Sequence, residues 1–296
     1  MISVIIAAYK EPNTIGRAIK SISKQIRKKD EIIVMCPDKE TADAAKKHNV
    51  KVYDDNGKKE FKEKKGKPHA LNQAFKIAKG NILVLTDGDV ELETNAIKKI
   101  LKPFKDTKVG AVSGRPISIN PRNNMFGYFS HLLTDAGAHE TRLELNKRNQ
   151  YLICTGYLMA IRKGIIKEIP VNSLSDDAVI SNLIYSQGYK TKYTPEAKVF
   201  VKFPTTLKDW LKQKRRSAGG YLQIKQLTKN KDRMRTFIKE SMGITKALSY
   251  PKNTKEFIWT IALVILRLYL WLDIFINIKI RKRSFSQLWK AVQTTK

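Results

Sequence analysis

The sequence predicts an α/β fold with a mainly parallel, Rossmann-like central sheet and flanking helices, followed by amphipathic and membrane-associated helices towards the C-terminus. Two observations carry this prediction. Short apolar runs alternate with helical patterns over residues 1–113, which is typical of βαβ units. A long apolar stretch at residues 257–278 then differs in character from everything before it.

Five short runs rich in β-branched and other apolar residues predict the first strands. The first run lacks the basic region that precedes the apolar part of a signal peptide, so we expect a buried strand at the N-terminus. The predicted strands are Ser3–Ala8, Glu31–Cys36, Val50–Tyr53, Asn81–Thr86 and Gly110–Ser113.

Helices are predicted where apolar residues recur three and four positions apart, at Thr14–Gln25, Thr41–Lys47 and Ala70–Ala78. Further strand signals lie between residues 151 and 203, and a helix near Ala178–Ser186 interrupts them. Ligands of open α/β sheets bind outside the carboxyl ends of the strands. We therefore expect the functional residues in the loops that follow the strands.

The character of the chain changes after Pro204, where apolar and aromatic residues recur at helical spacing among many basic ones. This pattern predicts basic amphipathic helices at a membrane interface, and a helix packed on its own domain is the alternative. The predicted division is a catalytic domain at 1–204, interfacial helices at 205–250, and a hydrophobic helix with a basic tail at 251–296. The pattern rests on Leu207, Trp210, Leu211, Ala218, Tyr221 and Leu222, and on Lys208, Lys212, Lys214, Arg215 and Arg216.

Phe257–Ile278 is long enough to cross a bilayer, which takes about 20 residues. Arg267 lies near its middle, where a charge is costly, and it shares one half of the helix with Asp273 and other polar residues. Both ends carry basic residues, which favour the cytoplasmic side. We therefore expect a deeply embedded or re-entrant helix with both ends cytoplasmic, with a true span and a buried helix of a soluble protein as alternatives. The flanking residues are Lys252 and Lys255, then Lys279, Arg281, Lys282 and Arg283.

The net charge of +30, from 57 Lys and Arg against 27 Asp and Glu, favours polyanionic partners such as an anionic membrane surface or phosphorylated substrates. A nucleic-acid-binding protein is a remote alternative, because the sequence holds no helix-turn-helix, zinc-finger or RNA-reading motif. Cys36 and Cys154, each in an apolar run, suit a reducing cytosol better than a disulfide framework.

The strongest local signal for chemistry is Asp87-Gly88-Asp89, directly after an apolar strand. Two carboxylates at a rigid strand end can bind a hard divalent cation, since Mg²⁺ takes one or two protein carboxylates together with substrate phosphate oxygens. An ordinary acidic turn is the alternative. Mg²⁺ and Mn²⁺ both fit this pattern.

Two weaker signals lie on either side of this strand in the sequence. Lys67, in a Gly-Lys-Pro-His segment ahead of a helix, could neutralise a phosphate, although a solvated lysine-rich loop gives the same pattern. Asp176 and Asp177 follow Ser175 at a predicted helix start, where acidic residues commonly cap helices. The functional interpretation is that one of these carboxylates acts as a general base.

As an ordered set over residues 1–220, these motifs resemble a family 2 glycosyltransferase with the GT-A fold, and in particular the cellulose and hyaluronan synthase-like subset. The resemblance implies that the chain is a short, membrane-associated member of that family. It rests on Ile2–Ala8 with Tyr9-Lys10-Glu11, Glu31–Val34 with Asp38, Gly66-Lys67 through Asn72, Asp87-Gly88-Asp89, Cys154-Thr155-Gly156, Ser175-Asp176-Asp177 and Gln213-Lys214-Arg215-Arg216.

The resemblance implies an inverting hexosyltransferase that uses a nucleotide-diphosphate sugar, with UDP as the favoured nucleotide. It implies Asp177 as the catalytic base, and Asp89 with Asp87 at a Mg²⁺ or Mn²⁺ ion. The implied acceptor-binding residues are Thr155, Gly156 and Asp176. The implied donor-binding residues are Ala8, Tyr9, Glu11, Asp38, Lys67, Asp87, Gln213 and Arg216.

Ser217 stands where the resembled Gln-x-x-Arg-Trp motif has a tryptophan, and the several transmembrane helices of processive synthases are not seen. Both departures favour limited transfer to a lipid-linked or membrane-proximal glycan over synthesis of a long polymer. A dolichyl- or polyprenyl-phosphate sugar synthase is the main alternative, but its ionised acceptor has less need of a base. A catalytically silent family member is disfavoured by the intact Asp89 and Asp177.

Overall fold

The computed structural model describes residues 1–58, 65–227, 244–281 and 294–295. Parts of the predicted segments 205–250 and 251–296, including Lys282 and Arg283, lie outside these residues. The described strands are β1 (Ile2–Ala7), β2 (Glu31–Met35), β3 (Lys51–Tyr53), β4 (Ile82–Asp87), β5 (Val90–Leu92), β6 (Val109–Ser118), β7 (Leu158–Arg162) and β8 (Lys190–Val201).

These strands form one eight-stranded sheet in the order β3-β2-β1-β4-β7-β6-β8-β5. The pairs β3–β2, β2–β1, β1–β4 and β6–β8 are parallel, whereas β4–β7, β7–β6 and β8–β5 are antiparallel. The first half of the sheet is therefore parallel, as the βαβ pattern predicts. The second half is mixed, because β7 enters the sheet antiparallel to both of its neighbours.

The five predicted strands are confirmed, with ends shifted by about one residue except for β6, which runs five residues further. The described helices are α1 (Ile15–Ser23), α2 (Lys39–Lys46), α3 (Lys67–Ile77), α4 (Ala96–Leu101), α5 (Met125–Leu132), α6 (Glu140–Lys147), α7 (Asp176–Ser186), α8 (Leu207–Leu227), α9 (Ile244–Leu248) and α10 (Thr254–Phe275). A π-helix, Leu133–His139, joins α5 to α6, and another, Ile276–Ile280, extends α10.

The core lies on both faces of the sheet, because successive strand residues point to opposite sides. Along β1, Val4 and Ile6 join one buried cluster with α1, whereas Ile5 joins the other with α3. Continuous burial of β1 explains why its sequence is a run of apolar residues without polar alternation. The sheet thereby holds its strand ends rigidly.

Helix α8 packs against the α/β domain, so a membrane interface for this helix stays a prediction for its exposed face. Trp210, Ala218, Tyr221 and Ile224 on this helix are buried, and it contacts α7 and α10. This packing agrees with the alternative interpretation of the sequence, in which the helix packs on its own domain. The predicted boundary after residue 204 therefore separates α8 from the domain on which it packs.

Helix α10 is amphipathic, but its polar residues contact the protein and its apolar residues face outwards. Arg122 donates two hydrogen bonds to Glu256, at 2.7 and 2.8 Å, and the Tyr128 and Thr260 hydroxyls lie 2.6 Å apart. Further along, Arg215 of α8 forms an ion pair with Asp273 at 2.7 Å. The helix is thus attached to the domain at both ends, about 25 Å apart at 1.5 Å per residue.

The opposite side of α10 is apolar and exposed. Ile258, Ile265 and Leu272, seven residues apart, are 58–61% exposed. Among the described residues, Thr254–Ile278 is the one helix with the length and apolar composition to cross a membrane. Only 22% of its 18-residue apolar segment is buried, whereas a core helix of a soluble protein is mostly buried.

Candidate active site

A cavity of about 1580 Å³ opens at the carboxyl ends of the parallel strands. Pockets that bind one drug-sized ligand measure roughly 300–1000 Å³, so this cavity is larger than a single such ligand requires. Helices α3, α7, α8 and α10 and the first π-helix complete its walls. Most of the site residues predicted from the sequence line it: Ala8, Tyr9, Glu11, Lys67, Asp87, Asp89, Thr155, Gly156, Asp176, Asp177, Gln213 and Arg216.

Asp87 ends β4, and Asp89 follows in the turn that leads into β5. The glycine between them is required by packing. A Cβ on Gly88 would lie 2.5 Å from a Glu11 carboxylate oxygen and 2.7 Å from the Ala8 Cβ, closer than real contacts allow. The Asp-Gly-Asp turn is thus pressed against the end of β1, which fixes where both carboxylates lie.

Lys67 connects the two acidic motifs. Its ammonium lies 2.6 Å from an Asp87 carboxylate oxygen and 3.3 Å from an Asp176 oxygen. Burial lowers the pKa of Lys67, but the charges of Asp176 and Asp87 outweigh burial and raise it. Lys67 is therefore a permanent cation, with donors to spare for an anionic ligand in the same cavity.

The loop before α3 holds Lys67 in place. Gly66 precedes the helix with a φ of 97°, a left-handed conformation that favours glycine. The Asp55 carboxylate, which lines the cavity, accepts hydrogen bonds from the backbone N–H groups of Lys65 and Gly66 at 2.8 and 3.0 Å. Asp55 was not predicted, although it follows the strand β3 as Asp89 follows β4.

Asp177 is held at the start of α7 by three hydrogen bonds. Its Oδ1 accepts from the Ser175 hydroxyl at 2.6 Å and from the Ala178 N–H at 2.8 Å, and its Oδ2 accepts from the Gly156 N–H at 3.1 Å. Burial raises the pKa of Asp177, and the neighbouring Asp176 charge raises it further, while Ser175 and Lys67 oppose the shift. A fixed carboxylate with a raised pKa is suited to accept a proton near neutral pH.

The segment before β7 is irregular, whereas strand signals were expected from residue 151 onwards. Its backbone N–H groups donate to side-chain oxygens in place of a neighbouring strand. Those of Leu152, Cys154, Thr155 and Gly156 donate to Thr191, Ser181, Ser113 and Asp177, respectively, at 3.0–3.1 Å. The segment that carries Thr155 and Gly156 is thus held directly against the predicted base.

Helix α8 supports the same region from outside. Gln223 accepts a hydrogen bond from the Leu174 N–H and donates one to the Asn172 carbonyl, both at 2.9 Å. A Cβ on Gly220 would lie 2.5 Å from the Ser175 Cβ. The helix therefore fixes the loop that leads into Asp177.

Tyr157 is a site residue that the sequence did not reveal. Burial raises the pKa of its hydroxyl, and the charges of Asp89 and Asp87 raise it further, so the hydroxyl stays protonated. Gln213 donates to this hydroxyl at 3.3 Å, and the charge of Arg216 acts on it in the opposite sense. Tyr157 thus lies between the carboxylates and α8, and the only sequence signal was its position after Thr155-Gly156.

Two motif residues make hydrogen bonds that support the fold. Asp38, expected at the nucleoside pocket, is not among the cavity-lining residues. It caps α2 by accepting from the Thr41 N–H at 3.0 Å, and it also accepts from the Lys10 N–H at 2.8 Å. Asn72 exchanges two hydrogen bonds of 2.8 Å with the backbone of Ile169, so its amide stabilises the fold.

Asp87 and Asp89 fit a divalent cation that is shared with a ligand. Within the described residues, no group of three or more His, Cys, Asp or Glu side chains is arranged to hold a metal ion. Mg²⁺ needs only one or two protein carboxylates when phosphate oxygens complete its coordination. Lys67 contacts Asp87 at 2.6 Å, so a cation bound by Asp87 would share that carboxylate with the lysine.

Comparison with known proteins gives matches to sugar transferases. The family described as glycosyltransferase like family 2 matches residues 1–220. The poly-β-1,6-N-acetyl-D-glucosamine synthase of Staphylococcus aureus (strain MSSA476) is 25% identical over 228 residues, covering 74% of this chain and 54% of the relative. The hyaluronan synthase of Streptococcus pyogenes is 27% identical over 164 residues, covering 51% and 39%. The chain spans about half the length of the first of these curated relatives, and less of the second.

Solved structures agree on the fold. The mannosyltransferase PcManGT of Pyrobaculum calidifontis, in complex with GDP-Man and Mn²⁺, has a TM-score of 0.61 and 18% identity, covering 97% of this chain and 82% of that one. The glucosyl-3-phosphoglycerate synthase of Mycobacterium tuberculosis, with Mn²⁺ and UDP-glucose, has a TM-score of 0.52 and 17% identity, covering 78% and 80%. These proteins share the GT-A fold, and the first similarity extends over nearly the whole chain, including the C-terminal helices.

Proposed function

This chain belongs to glycosyltransferase family 2 and is an enzyme of the transferase class, and from that premise we propose that it moves a sugar from a nucleotide diphosphate to a hydroxyl of a lipid-linked or membrane-proximal glycan. The observation that carries the proposal is the contact of Lys67 with both Asp87 and Asp176. This contact joins Asp87 and Asp176, far apart in sequence, within one cavity, which supports a site that holds both a donor and an acceptor.

The donor is proposed to lie along the end of β1 and β4. Tyr9 and Glu11 would contact the nucleoside, and Lys67 the diphosphate. Asp89, with Asp87, would hold a Mg²⁺ or Mn²⁺ ion on the diphosphate. When bound, such an ion stabilises the negative charge that develops on the leaving group. We favour UDP as the donor nucleotide, and GDP is the alternative that the mannosyltransferase complex suggests.

Transfer is proposed as a single displacement with inversion. The acceptor oxygen attacks the anomeric carbon from the face opposite the diphosphate, and the bond from that carbon to the phosphate oxygen breaks with its electron pair. The hydroxyl proton passes to Asp177 Oδ2. Within the described residues, this oxygen accepts one hydrogen bond, from the Gly156 N–H, whereas Oδ1 accepts two. Lys67 and Arg216 would neutralise charge on the departing diphosphate.

Membrane association is proposed through the exposed face of α10. Ion pairs at both ends hold this helix along the domain, as the contacts of Glu256 and Asp273 indicate. A helix held in that way is oriented to lie in the membrane surface with its apolar face in lipid. The exposed cations Lys252 and Lys255 would then face the headgroups on the cytoplasmic side.

The main rival function is a polyprenyl-phosphate sugar synthase, in which a phosphate oxygen attacks. An ionised phosphate has no proton to lose, so it does not need Asp177 in the conformation observed. The three hydrogen bonds that fix this carboxylate favour a hydroxyl acceptor.

The donor is tested by thermal stabilisation of the full chain with nucleotide-sugars in the presence and absence of Mn²⁺, since a ligand that binds the folded state raises its melting temperature. We expect stabilisation by one nucleotide class, dependent on the metal and lost in Asp89→Ala. The acceptor is then tested by supplying the identified donor with either polyprenyl phosphate or a lipid-linked glycan. Transfer to polyprenyl phosphate alone would reject the hydroxyl acceptor.

A further inference from the structure

One wall of the cavity comes from α10 and is used by none of the steps above. It consists of Leu263, Val264, Arg267, Leu268 and Trp271. Four of these five side chains are apolar or aromatic, so the wall is built to contact hydrocarbon with a single guanidinium in its middle. That composition differs from the acidic edge of the sheet across the same cavity.

Arg267 lies on the side of α10 that lines the cavity. A charge within such a helix is costly unless it faces a polar site or a partner. Arg267 is half-buried and lines the cavity, where a planar guanidinium can bind a phosphate through two parallel hydrogen bonds.

The cavity also reaches the outer apolar face of α10. Leu268 lines the cavity and is nevertheless 50% exposed. On the outer face it is flanked by Ile265 and Leu272, which are 59% and 58% exposed. An elongated apolar molecule on that face would therefore contact Leu268 at the edge of the cavity.

We infer that the acceptor is a phosphate-bearing lipid whose phosphate binds Arg267, whose hydrocarbon chain lies on the outer face of α10 beside Leu268, and whose glycan extends towards Asp177. The role of this lipid as an acceptor rests on the proposed function. Binding of the lipid is independent of the proposed function, because binding requires no sugar transfer. A cavity of about 1580 Å³ accommodates both a nucleotide-sugar and the head of such a lipid.

The test measures binding to the full chain in detergent, with Mn²⁺ and a saturating concentration of the nucleotide that stabilises it, so that the donor diphosphate site is filled. The probes are farnesyl diphosphate, farnesol and inorganic diphosphate, which separate the phosphate from the chain. We expect farnesyl diphosphate to bind at least about tenfold more tightly than either of the others, since both parts contribute.

The variant Arg267→Gln is expected to weaken farnesyl diphosphate binding about tenfold, the loss of one charge-assisted contact, and to leave farnesol binding unchanged. Arg281→Gln, an exposed arginine just beyond the same helix, serves as the matched control and should bind like the wild type. Arg267→Lys keeps the charge and should lose no more than about threefold, which guards against misfolding of the glutamine variant.

Wild-type binding of farnesyl diphosphate by Arg267→Gln would overturn the phosphate assignment. Equal affinity for inorganic diphosphate and farnesyl diphosphate would overturn the lipid assignment and indicate a soluble phosphate ligand. Absence of any sugar transfer, with the binding pattern intact, would instead reject the proposed function and leave the lipid site standing.

Discussion

The two walls of the cavity are built on different principles. The wall at the sheet edge carries Asp87, Asp89 and Lys67 on or next to strands and a helix start whose positions follow from parallel strand pairing. The facing wall is made of α8, which packs on the domain through buried side chains, and α10, which is joined to the domain by the Arg122–Glu256 ion pair and to α8 by the Arg215–Asp273 ion pair. The rigid wall suits reacting groups that need fixed geometry, and the helical wall suits an acceptor with a large apolar part.

The largest expected effect concerns the sheet edge. Asp89→Ala should lower metal-dependent transfer by ~10³-fold or more, because a metal stabilises the leaving charge by several kcal/mol. Donor turnover is measured by release of the nucleotide diphosphate. Asp43→Ala, an exposed aspartate on α2, is the control and should be fully active. Near-normal activity of the Asp89 variant would place the metal site elsewhere.

Asp177, the proposed base at the junction of the two walls, should give the next effect. Asp177→Asn is expected to lower kcat by ~10²–10⁴-fold while the nucleotide still binds, since proton transfer contributes that much. The variant should fold at least as stably as the wild type near neutral pH. A raised pKa means that the ionised carboxylate destabilises the folded state once the pH exceeds its usual value of 3.8.

The pH profile of kcat checks the same residue independently. Because the base must be deprotonated, wild-type activity should rise with pH along a limb centred above 3.8. Loss of nucleotide binding in Asp177→Asn, or a limb at or below the usual aspartate pKa, would contradict the assignment.

The helical wall makes a separate prediction about the membrane. Changing Ile258, Ile265 and Leu272 together to Gln should lower binding to phosphatidylcholine–phosphatidylglycerol vesicles by roughly 10²-fold, at about 1 kcal/mol of lost apolar burial for each residue. These side chains are exposed, so stability and donor binding should not change. Ile119→Gln, at a residue that is 54% exposed elsewhere, provides the control in vesicle sedimentation. Unchanged sedimentation of the triple variant would show that another surface binds the membrane.

Contact between the two walls is tested at Gly220. A methyl group there would collide with Ser175, so Gly220→Ala should shift the loop before Asp177 and lower kcat about tenfold, with donor affinity retained. Ala218→Gly on the same helix weakens the helix without a collision, and should reduce the melting temperature more than kcat. Equal losses of kcat in both variants would mean that the helix acts through stability alone.

The last prediction concerns stability alone, where α10 joins the domain. The hydrogen bonds from Arg122 hold the pKa of Glu256 down at about 2. Its contribution to stability is therefore complete above the unfolded pKa near 4.5 and is lost as the pH falls towards 2. Glu256→Gln should cost roughly 2 kcal/mol at neutral pH, and the difference from wild type should vanish in acid. A pH-independent difference in urea unfolding would contradict this.

The sequence alone predicted the parallel half of the sheet, because apolar strands and amphipathic helices are local patterns read within a dozen residues. It also predicted that Asp87 and Asp89 lie at a strand end, since the strand precedes them directly. The order of the motifs along the chain predicted the family. All these features depend on neighbours in the chain.

Only the tertiary structure decided which long-range neighbours each residue has. It turned Asp38 into a helix cap, placed Tyr157 and Asp55 in the cavity, and fixed Gly88 by packing against Ala8 and Glu11. It also packed α8 on the domain and directed Arg267 inwards, away from the exposed face of α10. Helical periodicity shows that a helix has two faces, but the partner of each face is determined by the packing of the whole chain.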